Sequence, residues 1–386
     1  MEHRVRIGLN LLHAQPEIGG VWNYITNLAA GLAEHAGNHE FVAFVTDASA
    51  IIVPDHPRFQ QVRVPVRAAS RIQRVLYENL RLPSLAGGMR LDVLHWFSNT
   101  HAPLVRTPSA VTVYDLLAFT PAAPWGMAKL AYLRTMIRST VASADMLLPI
   151  SNATAMELRT RLHAKPERMA VIPSVLPRQF RPESAARVAQ FKQRYTLPEH
   201  FWLYVAHFYS HKNHKTLVEA YRQLMSLDGV AAWPLVLRGD GDRIREDVRL
   251  QIREAGLEGK VLFLPRVDEA ELPALYTAAS ALVFPSTYEG FGIPVIEAMA
   301  CGCPVVAAAV PAVVESGRDA IWAIDQPSAG AFCQAMRTLQ TDASRRADLS
   351  RRGLERARYF RSESVVPHLF EAYASVVRRS NLAAGH

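Results

Sequence analysis

The sequence predicts an α/β protein of two doubly wound, Rossmann-like domains facing a cleft. Three observations carry that expectation. The chain has 386 residues, more than one ordinary core holds. Short apolar runs alternate with helical patterns in both halves, as in parallel sheets covered by helices. Glycine turns follow strands at 19–20, 239–241 and 290–292, on the edge where open α/β sheets bind ligands.

The elements follow in order. VRIGLNLL (5–12) reads as a buried strand, Gly19-Gly20 as a tight turn, and VWNYITNLAAGLAEH as a helix. EFVAFVTD (40–47), LDVLHWFS (91–98), SAVTVYDLLAF (109–119) and residues 145–150 supply further strands. Ser151 or Asn152 stands at the N-cap of a following helix. A second half begins near 181, with strands at 201–208, 234–242, 260–267, 281–286 and 304–308. Helical patterns at 215–226 and 269–280 separate some of them. The expected organisation is a first domain over 1–180, a second over 181–360, and a terminal helix over 361–386. That helix, SVVPHLFEAYASVV, is expected to return to the first domain and act as a strap for the closing cleft.

Composition narrows the class. Hydrophobic residues make 49% and charged residues 20%, normal for a globular protein. Three cysteines, with Cys301 and Cys303 separated by one glycine, offer neither a disulfide framework nor zinc spacing. They read as core thiols in a reducing compartment. The start lacks a signal-peptide pattern and no stretch of 18 apolar residues occurs, so a cytoplasmic location is expected. The net charge is +8. From Arg58 to Arg138 there are eleven Lys and Arg against three Asp and Glu. That surplus of eight equals the charge of the whole chain. Either these cations form a solvated face, or the first domain meets an anionic membrane surface or phosphorylated substrate. The basic residues are interleaved with leucines and accompany no nucleic-acid motif, so no nucleic-acid partner is expected. In WGMAKLAYLRTMIRS, Lys129, Arg134 and Arg138 flank an apolar stripe of Trp125, Met127, Leu130, Tyr132, Leu133, Met136 and Ile137. Such a helix either lies on an anionic membrane or packs its stripe into the core.

The most informative stretch is STYEGFGIPVIEAMACGCPVV, residues 286–306. Gly290 and Gly292 permit a positive-φ turn, and Pro294 suits the first helical position. The amide groups of 291–295 then form a site for phosphate, aided by the helix dipole. Glu297 lies one turn inside an apolar helix and needs partners; a sugar diol supplies two donors. Glu289 lies in the turn before. Hydroxyl groups on both sides of a phosphate describe a nucleotide sugar. Equally, Glu297 is a helix acid with a salt-bridge partner and Glu289 a loop acid.

The same stretch resembles the signature of family 4 retaining glycosyltransferases, with its E-x7-E element and trailing A-x-G-x-P-V-V. GGVWNYITNLAAGL, LLPISNATAMEL, SHKNHKTLVEAY, LVLRGDGD and LPRVDEAELPALYTAASALVFPS extend the similarity over most of the chain. Within the family it looks most like bacterial mannosyltransferases of surface polysaccharide assembly. The resemblance implies the GT-B fold and transfer of a hexose, mannose from GDP-mannose, to a glycan or a polyprenyl-diphosphate-linked acceptor. Glu297 would bind the ribose hydroxyls and Glu289 the hexose. The backbone of Gly290, Phe291, Gly292 and Ile293 would hold sugar and phosphate. Lys212, with His207 and His211 in its loop, would face the diphosphate, and Gly19 and Gly20 would let the first domain approach it. Backbone near Arg266 and Val267 would hold the base. A lysine and a helix terminus neutralise the leaving group, so neither metal nor other cofactor is expected.

Three departures from the family stand out. Tyr114-Asp115 replaces the usual histidine-aspartate near the transferred sugar. Ala206-His207 and His211 replace a glycine and arginines of the phosphate loop. Pro173-Ser174-Val175-Leu176 lacks the glycine of a frequent turn. Rival readings are a nucleotide-sugar-binding protein that has lost catalysis, with Tyr114 as the lesion, and a transferase using another UDP- or GDP-hexose. A glycoside hydrolase fits poorly, because both glutamates lie on one loop–helix unit rather than across a glycosidic bond. Arg238-Gly239-Asp240-Gly241 reads as a plain turn, and His95, His101 and His163 as structural.

Overall fold

The computed structural model describes residues 4–67, 70–227, 232–241 and 243–384. The chain forms two compact units. One comprises the described residues up to Val175 and those from Phe360 onward; the other is Leu176–Tyr359.

The first unit is a six-stranded sheet of β1 (Arg6–Asn10), β2 (Glu40–Val45), β3 (Phe59–Arg63), β4 (Val93–Trp96), β5 (Ser109–Val113) and β6 (Met146–Pro149). Its order is β3-β2-β1-β4-β5-β6, and neighbouring strands run parallel. The second sheet uses β7 (Trp202–Val205), β8 (Leu235–Arg238), β9 (Val261–Leu264), β10 (Ala281–Phe284), β11 (Val305–Ala308) and β12 (Trp322–Ile324). Its order, β12-β11-β10-β7-β8-β9, repeats the winding of the first. Helices cover both faces, which explains why the central strands are continuous apolar runs rather than alternating ones. Each sheet reverses its strand order once, between β1 and β4 and between β7 and β10. Loops diverge there and leave a crevice.

Local details follow the sequence closely. Ser151 takes the N-cap, its Oγ accepting from Thr154 N at 3.0 Å. The helix after β10 starts at Ile293, so Pro294 stands second rather than first. The edge strands β3 and β12 were not anticipated. FQQVR is mostly polar and β12 has three residues, so neither shows a buried-strand pattern.

The Ser362–Ala384 helix packs on the Gly20–Glu34 helix and on β4 and β5. Val366, Leu369 and Tyr373 are fully buried there. Gly31 lies where a Cβ would come within 3.1 Å of Val366 and 3.2 Å of Ser362, so its missing side chain permits the close approach. His95 joins Tyr373 Oη (2.6 Å) and Thr112 Oγ1 (2.7 Å) into a buried chain.

The Met127–Ser143 helix divides its apolar stripe. Trp125, Leu130, Leu133 and Ile137 pack against the core of the first unit. These four stripe residues take the core alternative, whereas Met127 is 88% and Tyr132 37% exposed. Lys129 lies over the Trp125 ring and Arg138 over Phe119, while Arg134 Nε donates to Ala118 O at 2.7 Å.

Candidate active site

The crevice between β7 and β10 gathers the residues singled out above. The loop after β7 runs from Ala206 to Lys212, and the loop after β10 from Pro285 to Gly292. Several bonds stitch them together. Tyr204 Oη, on β7, donates to Lys212 O at 2.5 Å and sits 3.2 Å from Ser286 Oγ. Asn213 Nδ2 donates to Pro285 O at 3.2 Å. Thr287 gives both its N–H (2.8 Å) and its hydroxyl (3.1 Å) to His211 O. Asn213 reaches these positions from a left-handed conformation, φ 56°, which asparagine tolerates better than most residues.

This stitching brings Lys212 Nζ to 2.6 Å from Glu289 Oε1, with both side chains largely buried. Two residues 77 apart in sequence thus form an ion pair at the mouth of the Ile293–Ala300 helix. Gly292 precedes that helix at φ 98° and no side chain caps it. The first amide groups and the dipole of such a helix end favour an anion. Ser316 Oγ anchors the turn by donating to Phe291 O at 3.2 Å.

Charge in the phosphate loop is lower than three basic side chains suggest. Burial and the neighbouring Lys212 hold the His211 imidazole down at about 4. Burial also lowers His207. Both rings are therefore neutral near pH 7, and Lys212 supplies the loop's positive charge.

Glu297 lies one turn into the helix and is only 5% exposed. Tyr276 Oη donates to its Oε2 at 2.8 Å. Burial raises its carboxyl to about 7, opposed by the Tyr276 bond and by Arg238. Arg238 ends β8 and also donates from Nη2 to Val267 O at 3.4 Å. It links the Glu297 carboxylate to the segment expected to hold the base; Val267 is buried and Arg266 exposed. Arg238 and Tyr276 were missed in the sequence, where one sits in a presumed turn and the other in an apolar helix. The turn also has a specific demand. A Cβ on Gly239 would lie 1.8 Å from Ala206 O, so only glycine lets the β8 loop back onto the phosphate loop.

The remaining candidates lie in the first unit. Gly19 takes φ 57° as N-cap of the Gly20–Glu34 helix. Tyr114 is buried edge-on to Tyr24, with ring centroids 5.3 Å apart. Among the described residues its hydroxyl has no hydrogen-bond partner, and burial keeps it protonated. Asp115 Oδ1 accepts from Leu117 N at 2.9 Å, closing a local turn.

Known proteins share the family pattern and the fold. A family model described as "Glycosyltransferase Family 4" matches residues 18–177, and one described as "Glycosyl transferases group 1" matches 188–356. The chain belongs to the family 4 glycosyltransferases. Among its relatives is the O-antigen chain mannosyltransferase B of Escherichia coli. It is 29% identical over 285 residues, covering 73% of this chain and 74% of that protein. A D-inositol 3-phosphate glycosyltransferase of Salinispora tropica is 34% identical over 61% of this chain, but the match spans 52% of its length. Two solved glycosyltransferase-like folds confirm the GT-B architecture. Anabaena HepE, in complex with UDP-glucose, superposes with a TM-score of 0.77 at 17% identity, covering 96% of this chain and 100% of that one. WaaG, a glycosyltransferase involved in lipopolysaccharide biosynthesis, gives 0.73 at 18% identity over 95% and 98%.

Proposed function

We propose that this glycosyltransferase moves mannose from GDP-mannose, with retention, to a glycan or polyprenyl-diphosphate-linked oligosaccharide. The observation that carries the reading is the Lys212–Glu289 pair at an uncapped helix N-terminus, with Glu297 buried one turn inside. The mannosyltransferase relative of Escherichia coli supports the choice of sugar.

Lys212 and the helix end meet the donor diphosphate, so no metal is required to neutralise the leaving group. Glu297 accepts the ribose hydroxyls, with Arg238 and Tyr276 holding its carboxylate in place. Glu289, on the other side of the phosphate position, orients the hexose. In the transfer the acceptor oxygen bonds to the anomeric carbon as the bond to the phosphate oxygen breaks. The acceptor's proton passes to that departing oxygen on the same face of the sugar. The products are a glycoside and a nucleoside diphosphate, and no protein nucleophile is consumed. A lipid-linked acceptor makes the enzyme a peripheral protein on the inner leaflet of the cell membrane.

The test is a thermal-shift screen across GDP-, UDP- and dTDP-sugars. GDP-mannose at a hundredfold excess over its dissociation constant should stabilise the protein by about 2.7 kcal/mol. Stabilisation by a UDP-hexose alone replaces mannose with another donor. Donor binding without transfer to any lipid or glycan extract selects the lost-catalysis reading.

A further inference from the structure

The Arg71–Leu80 helix of the first unit leaves an apolar stripe uncovered. Ile72, Leu76 and Leu80 recur every fourth residue and therefore share one side of the helix. They are 75%, 54% and 69% exposed. The opposite side is fixed to the sheet. Glu78 is buried and accepts from Asn10 Nδ2 at 2.9 Å, and Asn10 ends β1. Arg71 lies over the Tyr132 ring, 4.7 Å from its centroid. The helix thus rests over the carboxyl ends of the strands, the edge where this fold class binds ligands, with its apolar stripe turned outward.

The surroundings are cationic. Arg67 and Arg81 are exposed before and after the helix. Lys129, three residues before Tyr132 on the neighbouring helix, is also exposed. The three acids between Arg58 and Arg138 are each engaged inside the unit. Glu78 accepts from Asn10, Asp92 Oδ2 accepts from Arg6 N at 2.6 Å, and Asp115 accepts from Leu117 N. Glu78 is buried and Asp92 and Asp115 are half-buried, so none of the three is an exposed acid beside the stripe.

We infer that the Arg71–Leu80 helix is a docking face for an anionic lipid bilayer. Ile72, Leu76 and Leu80 enter the acyl boundary, and Arg67, Arg71, Arg81 and Lys129 meet the headgroups. A second copy of the chain fits less well, because two such faces would bring like charges together. This docking deepens the reading of a lipid-linked acceptor, rests on it for its purpose, and is tested apart from it.

The experiment is flotation of the full chain with vesicles of phosphatidylcholine alone or mixed with phosphatidylglycerol, at low and high salt. Binding is expected to the mixed vesicles only, with release by salt. The triple variant Ile72→Ser, Leu76→Ser, Leu80→Ser should lower partitioning at least about tenfold. Arg81→Ala and Lys129→Ala should each lower it by about fivefold. Thermal stabilisation by GDP, retained in every variant, shows that each is folded. Wild-type protein that ignores mixed vesicles overturns the docking face, as does binding that survives the triple substitution. Self-association in light scattering that the triple variant abolishes, without vesicle binding, assigns the stripe to a second copy instead. Vesicle binding without stabilisation by any nucleotide sugar keeps the docking face and removes the transferase reading.

Discussion

Glu297 should make both stability and donor binding depend on pH, in opposite directions. Its carboxyl is raised from 4.5 to about 7, mainly by burial. Each tenfold displacement of a protonation equilibrium is about 1.4 kcal/mol, so ionising Glu297 within the fold costs roughly 3 kcal/mol. The sign follows directly. The folded state holds this proton more tightly than the unfolded chain, so the stabilising effect is complete below 4.5. It is lost as pH climbs from 4.5 through 7 and is flat above. Binding runs the other way, since ribose hydroxyls need the ionised carboxylate as acceptor. The groups that face Glu297 are Tyr276, which donates to it, Arg238, which favours its charge, and Glu269, which opposes it. Burial holds the His211 imidazole down at about 4 and lowers His207 from its ordinary value.

Two measurements read this out. Urea unfolding between pH 4.5 and 7.5 should show a loss of stability in wild type that Glu297→Gln lacks. Calorimetry of GDP binding at pH 6.5, in buffers of different protonation enthalpy, should show wild type releasing most of a proton more than Glu297→Gln. The nucleotide's own phosphate titrates equally in both and cancels. Identical proton counts and parallel stability curves would refute the buried ribose-binding carboxylate.

Three further outcomes follow from the site. Lys212→Ala should lower kcat/KM about 100- to 1000-fold, the loss seen when one preorganised donor to a developing anion is removed; wild-type activity should persist in excess EDTA, and a strict magnesium or manganese requirement would contradict the lysine's role. Glu289→Ala should cut turnover by about 10- to 100-fold while GDP binds as well as before or better, because the carboxylate no longer competes for Lys212; equal losses for GDP and GDP-mannose would contradict a contact to the hexose. Gly239→Ala forces a Cβ into the Ala206 carbonyl and should destabilise the second unit by about 3 kcal/mol, seen as a lower Tm; an unchanged Tm would mean that the loops separate freely.

Much of this was legible in the chain, for identifiable reasons. Central strands such as WLYV and ALVF are buried on every residue, so burial writes itself into sequence as unbroken apolar runs. The turn from Gly290 to Gly292 and the helix after it are local, and local chemistry is what spacing reports. What escaped depends on partners distant in sequence. Arg238 and Tyr276 meet Glu297 only because the sheet sets β8 beside β7 and the turn from β10 leads into the helix carrying Glu297. The Arg243–Glu254 helix buries Val248 and Ile252, a short pair four apart among charges that sequence reading passed over, and the edge strand FQQVR buries little. The Met127–Ser143 helix displays the converse. Its periodicity announces an apolar face, but periodicity cannot say what covers it, and here protein covers Leu130, Leu133 and Ile137 but not Met127.

On the proposed reading, the Lys212–Glu289 pair lets one short segment serve both halves of the donor. Two largely buried charges 2.6 Å apart offset each other's desolvation, and removing either strands the other. The pair is therefore closed electrostatically upon itself. A diphosphate arriving at the Gly292 end of the helix brings more negative charge than one carboxylate and draws Lys212 toward it. Glu289 then needs new donors, and the hydroxyls of a hexose attached to that diphosphate are the groups placed to supply them. With His207 and His211 neutral, no second cation of this loop can hold Glu289 back. Engagement of the sugar is thus conditional on engagement of the phosphate. That coupling explains why free sugar should bind poorly, why GDP alone should bind well, and why the mannosyl group should be oriented only when it arrives attached to its leaving group.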